Sequence, residues 1–349
     1  VVVVRIATVR LWPYSVPLEE PWCSRRSVIH RRDGWLVRVE TDDGAHGWGE
    51  TAVLTELGTE AKAEAGEALA AASARLAGLQ LEMARRALPG FDRPAARCGI
   101  EAALLDLEAR RAGLPLHQLL RQGSRPLLSV NASCGPVDQG LGERLAAAAA
   151  AGFEIAKIKL ATRPVAIEWS LLAAELARAP QTLGLRFDLN GAWDIATARQ
   201  WLPSLAQWRT ECVEEPVHDA EPLMLARLQA ICPFALALDE SIAGLADDAP
   251  LPVRRQMLKP MVLGGAERAL ALAARRGTQS VVTSALETAV GLWHAAHLAA
   301  AIDATAQRPL AHGLDTGRWL ARALGPLPPR AGHWRLGDAP GLGIEPELP

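Results

Sequence analysis

The chain lacks blocks of like charge, long apolar runs and paired cysteines, and each absence removes a class of function. With a net charge of −2, no basic stretch and no acidic tail, nucleic acid and anionic membrane surfaces are poor partners. The opening Val1-Val2-Val3-Val4 meets Arg5 at once, too short a run for a secretory or membrane-spanning segment. The alanine-rich stretch 145–151 reads as a helix of ordinary length, and a soluble, cytoplasmic protein is expected. Aromatic residues are few. The five cysteines (Cys23, Cys98, Cys134, Cys212 and Cys232) are scattered and odd in number, as expected of reduced thiols that mostly fill the core. No His or Cys cluster has zinc spacing. His294 and His297, three apart on a helix, are expected to pack outward rather than ligate.

What is present begins with Ile155-Ala156-Lys157-Ile158-Lys159-Leu160. In a strand, alternate side chains share a face, so the two lysines point one way and Ile158 and Leu160 the other. An exposed strand could carry such a pair for solubility. Here the flanking residues are aliphatic, as in a strand buried on both faces, and lysines held there require carboxylates nearby. Arg186-Phe187-Asp188-Leu189-Asn190, Cys212-Val213-Glu214-Glu215-Pro216, Ala237-Leu238-Asp239-Glu240-Ser241 and Met257-Leu258-Lys259-Pro260 each close a short apolar run. They recur at intervals of roughly 20–30 residues, the length of a strand, a crossover helix and two loops. Each charged residue is thereby placed at the C-terminal end of a barrel strand, where barrel enzymes assemble their chemistry.

At 349 residues, half of them apolar, the chain exceeds one barrel, so a second, smaller domain is expected. Residues 1–125 read as an α+β capping domain. It has a meander of strands near 1–12, 35–40 and 46–50, and helices near 59–76 and 94–111. Between the first two strands, the polar stretch 19–33 with Arg25, Arg26, Arg31 and Arg32 reads as a lid loop, solvated or contacting an anionic substrate. Residues 126–317 alternate strand and helix, with strand starts near Leu128, Glu154, Leu183, Thr210, Phe234, Arg255, Gln279 and Pro309 and helices such as 142–151, 194–208, 266–276 and 288–302. Eight repeats predict an α/β protein with a (β/α)8 barrel. A dinucleotide-binding sheet would need G-x-G-x-x-G where Cys134-Gly135-Pro136 stands. Residues 318–349, rich in Pro and Gly, are expected to return to the cap.

Asp188, Glu214 and Asp239, from successive strand ends, can converge on one point. Three carboxylates do not stay ionised together without a cation, and a hard divalent ion, best Mg2+ with its retained waters, resolves the conflict. Lys157 and Lys159 flank this trio on one side and Lys259 on the other. A lysine near other cations can serve as a base, and a cation on a substrate carboxylate would hold the enediolate left by loss of the neighbouring proton. Salt bridges capping strand ends would explain any one of these residues, but poorly explain six.

Lys-x-Lys, Asp-x-Asn, Glu-Glu-Pro, Asp-Glu-Ser and Lys-Pro, in this order, resemble the enolase superfamily in its muconate lactonizing subgroup. Gly47-Trp48-Gly49-Glu50 and Gly113-Leu114-Pro115-Leu116 are similar to its cap signatures. The resemblance implies a modified, enolase-like barrel, with Asp188, Glu214 and Asp239 as Mg2+ ligands (Mn2+ able to substitute) and Lys159 as the base. It also implies Lys157 against the substrate carboxylate, Lys259 on the opposite side, and Asn190, Glu215 and Glu240 orienting the ligands.

The seventh and eighth strand ends, Thr283-Ser284-Ala285-Leu286-Glu287 and His312-Gly313-Leu314-Asp315-Thr316, resemble the o-succinylbenzoate synthases of that subgroup. Dipeptide epimerases typically carry Asp-x-Asp at the eighth strand, and Gly313 stands at the first acid. Ser284, Ala285, Leu286 and Gly313 are thus expected at the substrate, with Ser284 and Ala285 offering backbone N–H groups to a succinyl carboxylate. Arg26 and Arg32 are further candidate contacts, and Arg186 could lie near the substrate or behind the site. The reaction implied is dehydration of a cyclohexadiene carboxylate on the way to menaquinone or phylloquinone, with racemisation of an N-acylamino acid, dipeptide epimerisation or cycloisomerisation as the alternatives within the superfamily. A scaffold without activity would have lost a ligand or a lysine, and none is missing. The expected partner is a small carboxylate substrate, and a homo-oligomer is compatible with all of this.

Overall fold

A computed structural model describes residues 4–23 and 28–349, and of Cys23 only the backbone. Arg25 and Arg26 lie outside the described residues. The cap opens with an antiparallel sheet of β1 (Ile6–Cys23), β2 (Val28–Thr41) and β3 (His46–Val53), in the order β1-β2-β3. The described part of the expected lid loop is strand: Pro17 pairs with Arg31, and Trp22 with Ile29. Pairing satisfies the backbone groups that a polar loop would leave to water.

Of the helices α1 (Lys62–Leu76), α2 (Leu81–Ala87), α3 (Pro94–Ala112) and α4 (Leu116–Leu120), α1 and α3 pack on the sheet, while α2 and α4 pack on α3. Proline opens α3, where its missing N–H costs nothing, and Gly113 closes it in the left-handed region at φ +65°. β3 lies directly on α3. A Cβ at Gly47 would stand 2.3 Å from both the Ala103 carbonyl oxygen and the Leu107 nitrogen. The glycines flanking Trp48 therefore set the depth at which β3 sits, and with it the position of Glu50.

β4 (Leu127–Ser129) pairs antiparallel with β12 (His333–Arg335), near the end of the chain. The parallel series then runs β5 (Ala132–Pro136), α5 (Leu141–Ala150), β6 (Ile155–Lys159), α6 (Val165–Leu176), β7 (Gly184–Asp188), α7 (Ile195–Trp201) and β8 (Thr210–Glu214). It continues through α8 (Pro222–Ala230), β9 (Ala235–Leu238), β10 (Arg255–Leu258), α9 (Pro260–Leu263), α10 (Ala266–Ala273), β11 (Gln279–Val282) and α11 (Ala289–Asp303). β5 to β11 are neighbours in sequence order in one seven-stranded sheet.

Three sequence expectations are corrected here. The first parallel strand begins at Ala132, because the chain around Leu128 is taken by β12. The eighth strand, expected from Pro309, reduces to two parallel bridges, His312 with Val130 and Gly313 with Thr283. Those bridges span from the β11 edge to the β5 edge and close the ring. Residues 194–208 are not one helix: α7 stops at Trp201 and Pro203, which has no N–H to continue the ladder, starts a separate turn.

The largest apolar cluster packs the barrel strands against their helices and runs on into the cap through Tyr14, Leu36, Trp48 and Leu105, while a second lies between the cap sheet and its helices. A third cluster, including Ala52, Val53, Cys98, Met261 and Ala285, joins cap to barrel. The tail meets the cap: Leu116 N–H donates to the Gly341 carbonyl (2.8 Å), and Leu342 N–H to Asp106 Oδ1 (2.6 Å). Among the described residues, no helix is long and apolar enough to cross a membrane.

Candidate active site

Strand register builds the site. Lys159 on β6 is level with Asp188 on β7, which is level with Glu214 on β8. Asp239 and Lys259 directly follow β9 and β10. One cleft at this end of the barrel is lined by Lys157, Lys159, Asp188, Asn190, Asp239, Glu240 and Lys259, and also by Ser284, Ala285, Leu286 and Gly313. Glu214 and Glu215 lie beneath, with no exposed surface. The backbone is strained where it leaves these strands: Ala161, Asn190, Glu215 and Leu286 all have φ between +39° and +62°. Residues with side chains persist there only when their surroundings over-determine them.

Lys157 Nζ stands 3.0 Å from Asp188 Oδ2 and also donates to Glu214 Oε2. Burial opposes its charge, but Asp188, Glu214 and Asp239 more than offset that and hold it protonated, well above the usual lysine range. Lys259 donates to both oxygens of Asp239, at 2.6 and 2.5 Å, and is likewise raised against its burial. Lys159 differs. Its Nζ donates only weakly to Asn190 Oδ1 (3.3 Å) and lies 5.0 Å from the centre of the Trp22 ring. Burial first, then the charges of Lys157 and Lys259, lower its pKa despite Asp188. Of the three amines it is the one poised to accept a proton.

The carboxylates are held in turn. Asn190 donates its backbone N–H to Asp188 Oδ1 (3.1 Å) and its amide to Glu240 Oε1 (2.9 Å). Glu215 Oε2 accepts the Asp239 N–H at 2.7 Å, and burial pushes the Glu215 carboxyl up to about 7. Burial also raises Glu214, which shares Lys157 with Asp188.

Among the described residues, no three acidic, imidazole or thiol groups stand at a spacing that one ion could bridge. Convergence of the three acids is therefore only partly met: Asp188 and Glu214 share Lys157, while Asp239 is drawn to Lys259. The donor set nonetheless fits a hard divalent cation. All three donors are carboxylates on neighbouring strand ends, and Glu214 Oε1 is buried without a hydrogen-bond partner among the described residues, with Arg186 Nε 3.8 Å away. An acceptor left so needs a counter-charge. Taking up an ion requires both ammonium groups to yield part of their hold.

Several expectations change. The Ser284 N–H already donates to the Gly313 carbonyl (3.0 Å), and the Ala285 N–H to Glu287 Oε2 (2.7 Å), so neither is free for a substrate carboxylate. What that wall offers is the Ser284 and Thr316 hydroxyls, hydrogen-bonded to each other. Arg32 is 1% exposed and lies behind the wall, donating to the Leu286 carbonyl (3.1 Å) and to the Val53 carbonyl. Arg186 is fully buried on β7, its Nη1 donating to Asn131 Oδ1 at 2.9 Å. His294 and His297 face inward rather than outward, with His297 Nδ1 accepting the His117 N–H. Sequence reasoning missed Trp22, Asn131 and Ser133 in the cleft, and gave Asp315 and Thr316 only as part of the eighth strand end, without a role at the site. For Trp22 a signal existed: an aromatic side chain standing alone in a polar stretch.

Comparison with known proteins agrees with this geometry. Residues 6–121 match the model of the mandelate racemase / muconate lactonizing enzyme N-terminal domain, and residues 141–348 that of the enolase C-terminal domain-like family. The o-succinylbenzoate synthase of Desulfotalea psychrophila is 28% identical over 86% of this chain and 90% of that protein. The L-Ala-D/L-Glu epimerase of Bacillus subtilis is 28% identical over 85% of each. The crystal structure of a dipeptide epimerase from Enterococcus faecalis, complexed with Mg and the dipeptide L-Leu-L-Tyr, superposes with a TM-score of 0.88 at 25% identity, covering 98% of this chain and 99% of that one. With both family models matched and its charged residues ranked along successive strand ends, the chain belongs to the enolase superfamily, in its mandelate racemase/muconate lactonizing group.

Proposed function

We propose that the protein is an o-succinylbenzoate synthase, removing water from 2-succinyl-6-hydroxy-2,4-cyclohexadiene-1-carboxylate to give 2-succinylbenzoate. The observation that carries this reading is at the eighth strand position. A Cβ at Gly313 would stand 2.6 Å from Thr283 Oγ1, so no acid fits there unless Thr283 moves. Asp315, two residues on, accepts the Ser133 N–H at 3.1 Å and has Arg318 and Arg330 each 3.8 Å away. A carboxylate so engaged is a poor partner for the ammonium group of a dipeptide, whereas a succinyl tail brings no cation. The relatives divide between these activities, and this difference favours the dehydratase.

In this reading Asp188, Glu214 and Asp239 would hold Mg2+, with Asn190, Glu215 and Glu240 orienting them. When bound, the ion would supply positive charge that stabilises a substrate carboxylate as it gains electron density. Lys159, neutral, takes the proton from the carbon bearing the carboxylate, and Lys157 remains protonated beside it. Lys159 then returns that proton to the departing hydroxyl on the same face, so one amine serves both halves of a syn elimination and water leaves as the ring becomes aromatic. Lys259 stays cationic on the opposite side, against the ring face.

Turnover of the cyclohexadiene, followed by loss of its ultraviolet absorbance, tests the proposal: activity should vanish with EDTA and return with Mg2+. Folded, magnesium-loaded protein that leaves the substrate unchanged would refute it. A second reading, an N-acylamino acid racemase, is favoured by Lys259 on the far wall, where a second base would stand. Deuterium exchange with inversion of an N-succinylamino acid would establish it.

A further inference from the structure

The cleft wall formed by residues 284–286 is not held by the barrel alone. Leu286 is buried and sits in the left-handed region at φ +62°, a conformation that a side chain disfavours and that neighbours must impose. The neighbours come from the cap. Arg32 of β2 donates from Nε to the Leu286 carbonyl and from Nη1 to the Val53 carbonyl of β3, tying the wall to the cap sheet through one guanidinium. On the other flank, Glu50 of β3 accepts the N–H groups of Thr288 and Gly291 at 2.8 Å each, together with the Thr288 hydroxyl, at the start of α11. Tyr14 of β1 fixes Glu50 in turn, its hydroxyl donating to Oε1 at 2.6 Å. Arg32, Glu50, Glu287 and Thr288 are each at most 1% exposed. The wall is therefore clamped on both sides by side chains more than 200 residues away in the chain, while none of these clamps touches Lys159 or the three acids.

We propose that Arg32, seconded by Glu50, is a positioning residue for substrate recognition: through the Leu286 backbone it sets the shape of the wall that meets the unreactive tail of the substrate. The inference rests on the proposed function for the identity of that tail, a short chain ending in a carboxylate, lying against Ala285, Leu286 and the Ser284–Thr316 hydroxyl pair. Because the reacting carbon is managed by β6 to β10 and the tail by the loop after β11, the two halves of the substrate are governed by separate parts of the molecule. A guanidinium reaches two carbonyls at once in a fixed fork, which an ammonium cannot reproduce.

The test uses the magnesium-loaded full chain as wild type, Arg32→Lys and Leu286→Gly. The glycine variant removes the strain and the side chain while leaving the buried guanidinium, so it carries the test if Arg32→Lys does not fold. Steady-state turnover and calorimetric binding of 2-succinylbenzoate are measured on each. A misplacement of the wall should raise KM and the product Kd about tenfold or more, with kcat within about threefold. A clamp that merely joins cap to barrel would lower the unfolding midpoint of Arg32→Lys and leave KM and Kd alone. That result, or a fall in kcat at constant KM, overturns the inference. Failure of wild-type protein to bind 2-succinylbenzoate would instead count against the proposed function, and the same KM split would then be read on whichever N-succinylamino acid it turns over.

Discussion

The two ends of the barrel use the same kinds of residue to opposite effect. Near the N-terminal ends of the strands, Glu211 on β8 bridges Arg186 on β7 and Arg255 on β10, and Arg255 also holds Gln279 Oε1 at 2.9 and 3.1 Å. At the opposite end, Glu214, three residues on along β8, keeps an oxygen with no hydrogen-bond partner among the described residues, and Lys159 at the end of β6 has its pKa lowered. The turns differ in the same sense. Those entering β6 and β11 reach positive φ at Gly152 and Gly277, where a Cβ would meet nothing and glycine serves the backbone angle alone. Those leaving β6, β7, β8 and β11 reach it at Ala161, Asn190, Glu215 and Leu286. One end pairs its charges with one another, leaving Arg186 Nη2 without a hydrogen-bond partner among the described residues, and relaxes its backbone. The other keeps both under tension, which is where barrel enzymes work.

Replacing a charge at each end should break the comparison cleanly. Lys159→Met should lower kcat by about 10³-fold, within the usual worth of a positioned acid–base group, while urea unfolding shows a protein no less stable than wild type, since a buried amine has been replaced by an apolar chain. Retention of near-normal turnover would remove Lys159 from the mechanism. Glu211→Ala should do the reverse. It strands two buried guanidinium groups, so unfolding free energy should fall by about 3–5 kcal/mol, with kcat and KM of the folded fraction within a fewfold of wild type. A large kinetic loss in a stable Glu211→Ala protein would mean that the two ends are coupled through Arg186, which lies between Glu211 and Glu214.

How much of this was legible in the sequence follows the same division. Lys157, Lys159, Asp188, Glu214, Asp239 and Lys259 could be placed on one end because each terminates an apolar run, and a parallel βα series sends all such termini the same way. Which amine pairs with which acid could not be read, since Lys157 reaching across to Glu214 depends on register between strands. Arg32 was misplaced for another reason: in a stretch shared with Arg25, Arg26 and Arg31 it reads as solvated, and only the approach of the loop after β11 buries it. The eighth strand was overestimated and β4 misassigned because both depend on residues more than 150 positions away, His312 bridging Val130 and His333 pairing with Ser129. Glu50 was recognisable only as part of a motif. Its role as the cap of α11 needed the contact itself.

A third substitution sharpens the contrast where cap and barrel meet. Burial, and then the charge of Glu50, push the Glu287 carboxyl up to about 7. A carboxyl whose pKa is higher folded than unfolded binds more protons in the folded state, so it causes stability to fall as pH rises from about 4.5 to about 7, and not outside that window. Glu287→Gln should remove that loss. Its unfolding free energy should match wild type near pH 4.5 and exceed it by at most roughly 3 kcal/mol at pH 8, read from urea midpoints at the two pH values. A variant less stable than wild type at pH 8 would show that the ionised carboxylate, not the neutral acid, holds the Ala285 N–H.

The smallest expected effect concerns Trp22, whose ring lies under Lys159 and is met edge-on by Trp319, with centroids 5.0 Å apart at 89°. The ring face favours the ammonium form, so it works against the burial and the neighbouring cations that lower the Lys159 pKa. Trp22→Leu keeps an apolar neighbour and removes the face, which should lower the pKa further by under about one unit, the worth of a partly exposed cation–π contact being about 0.5–1 kcal/mol. Because Lys159 accepts a proton only when neutral, activity climbs with pH through its pKa, and the rising limb of kcat/KM should move to lower pH. Trp319→Leu should move it less, since Trp319 braces the ring without meeting the amine. If the limb moves upward in Trp22→Leu, the ring acts on Lys159 chiefly by excluding water, and the mouth of the barrel owes its low-pKa amine to the cap as well as to the neighbouring lysines.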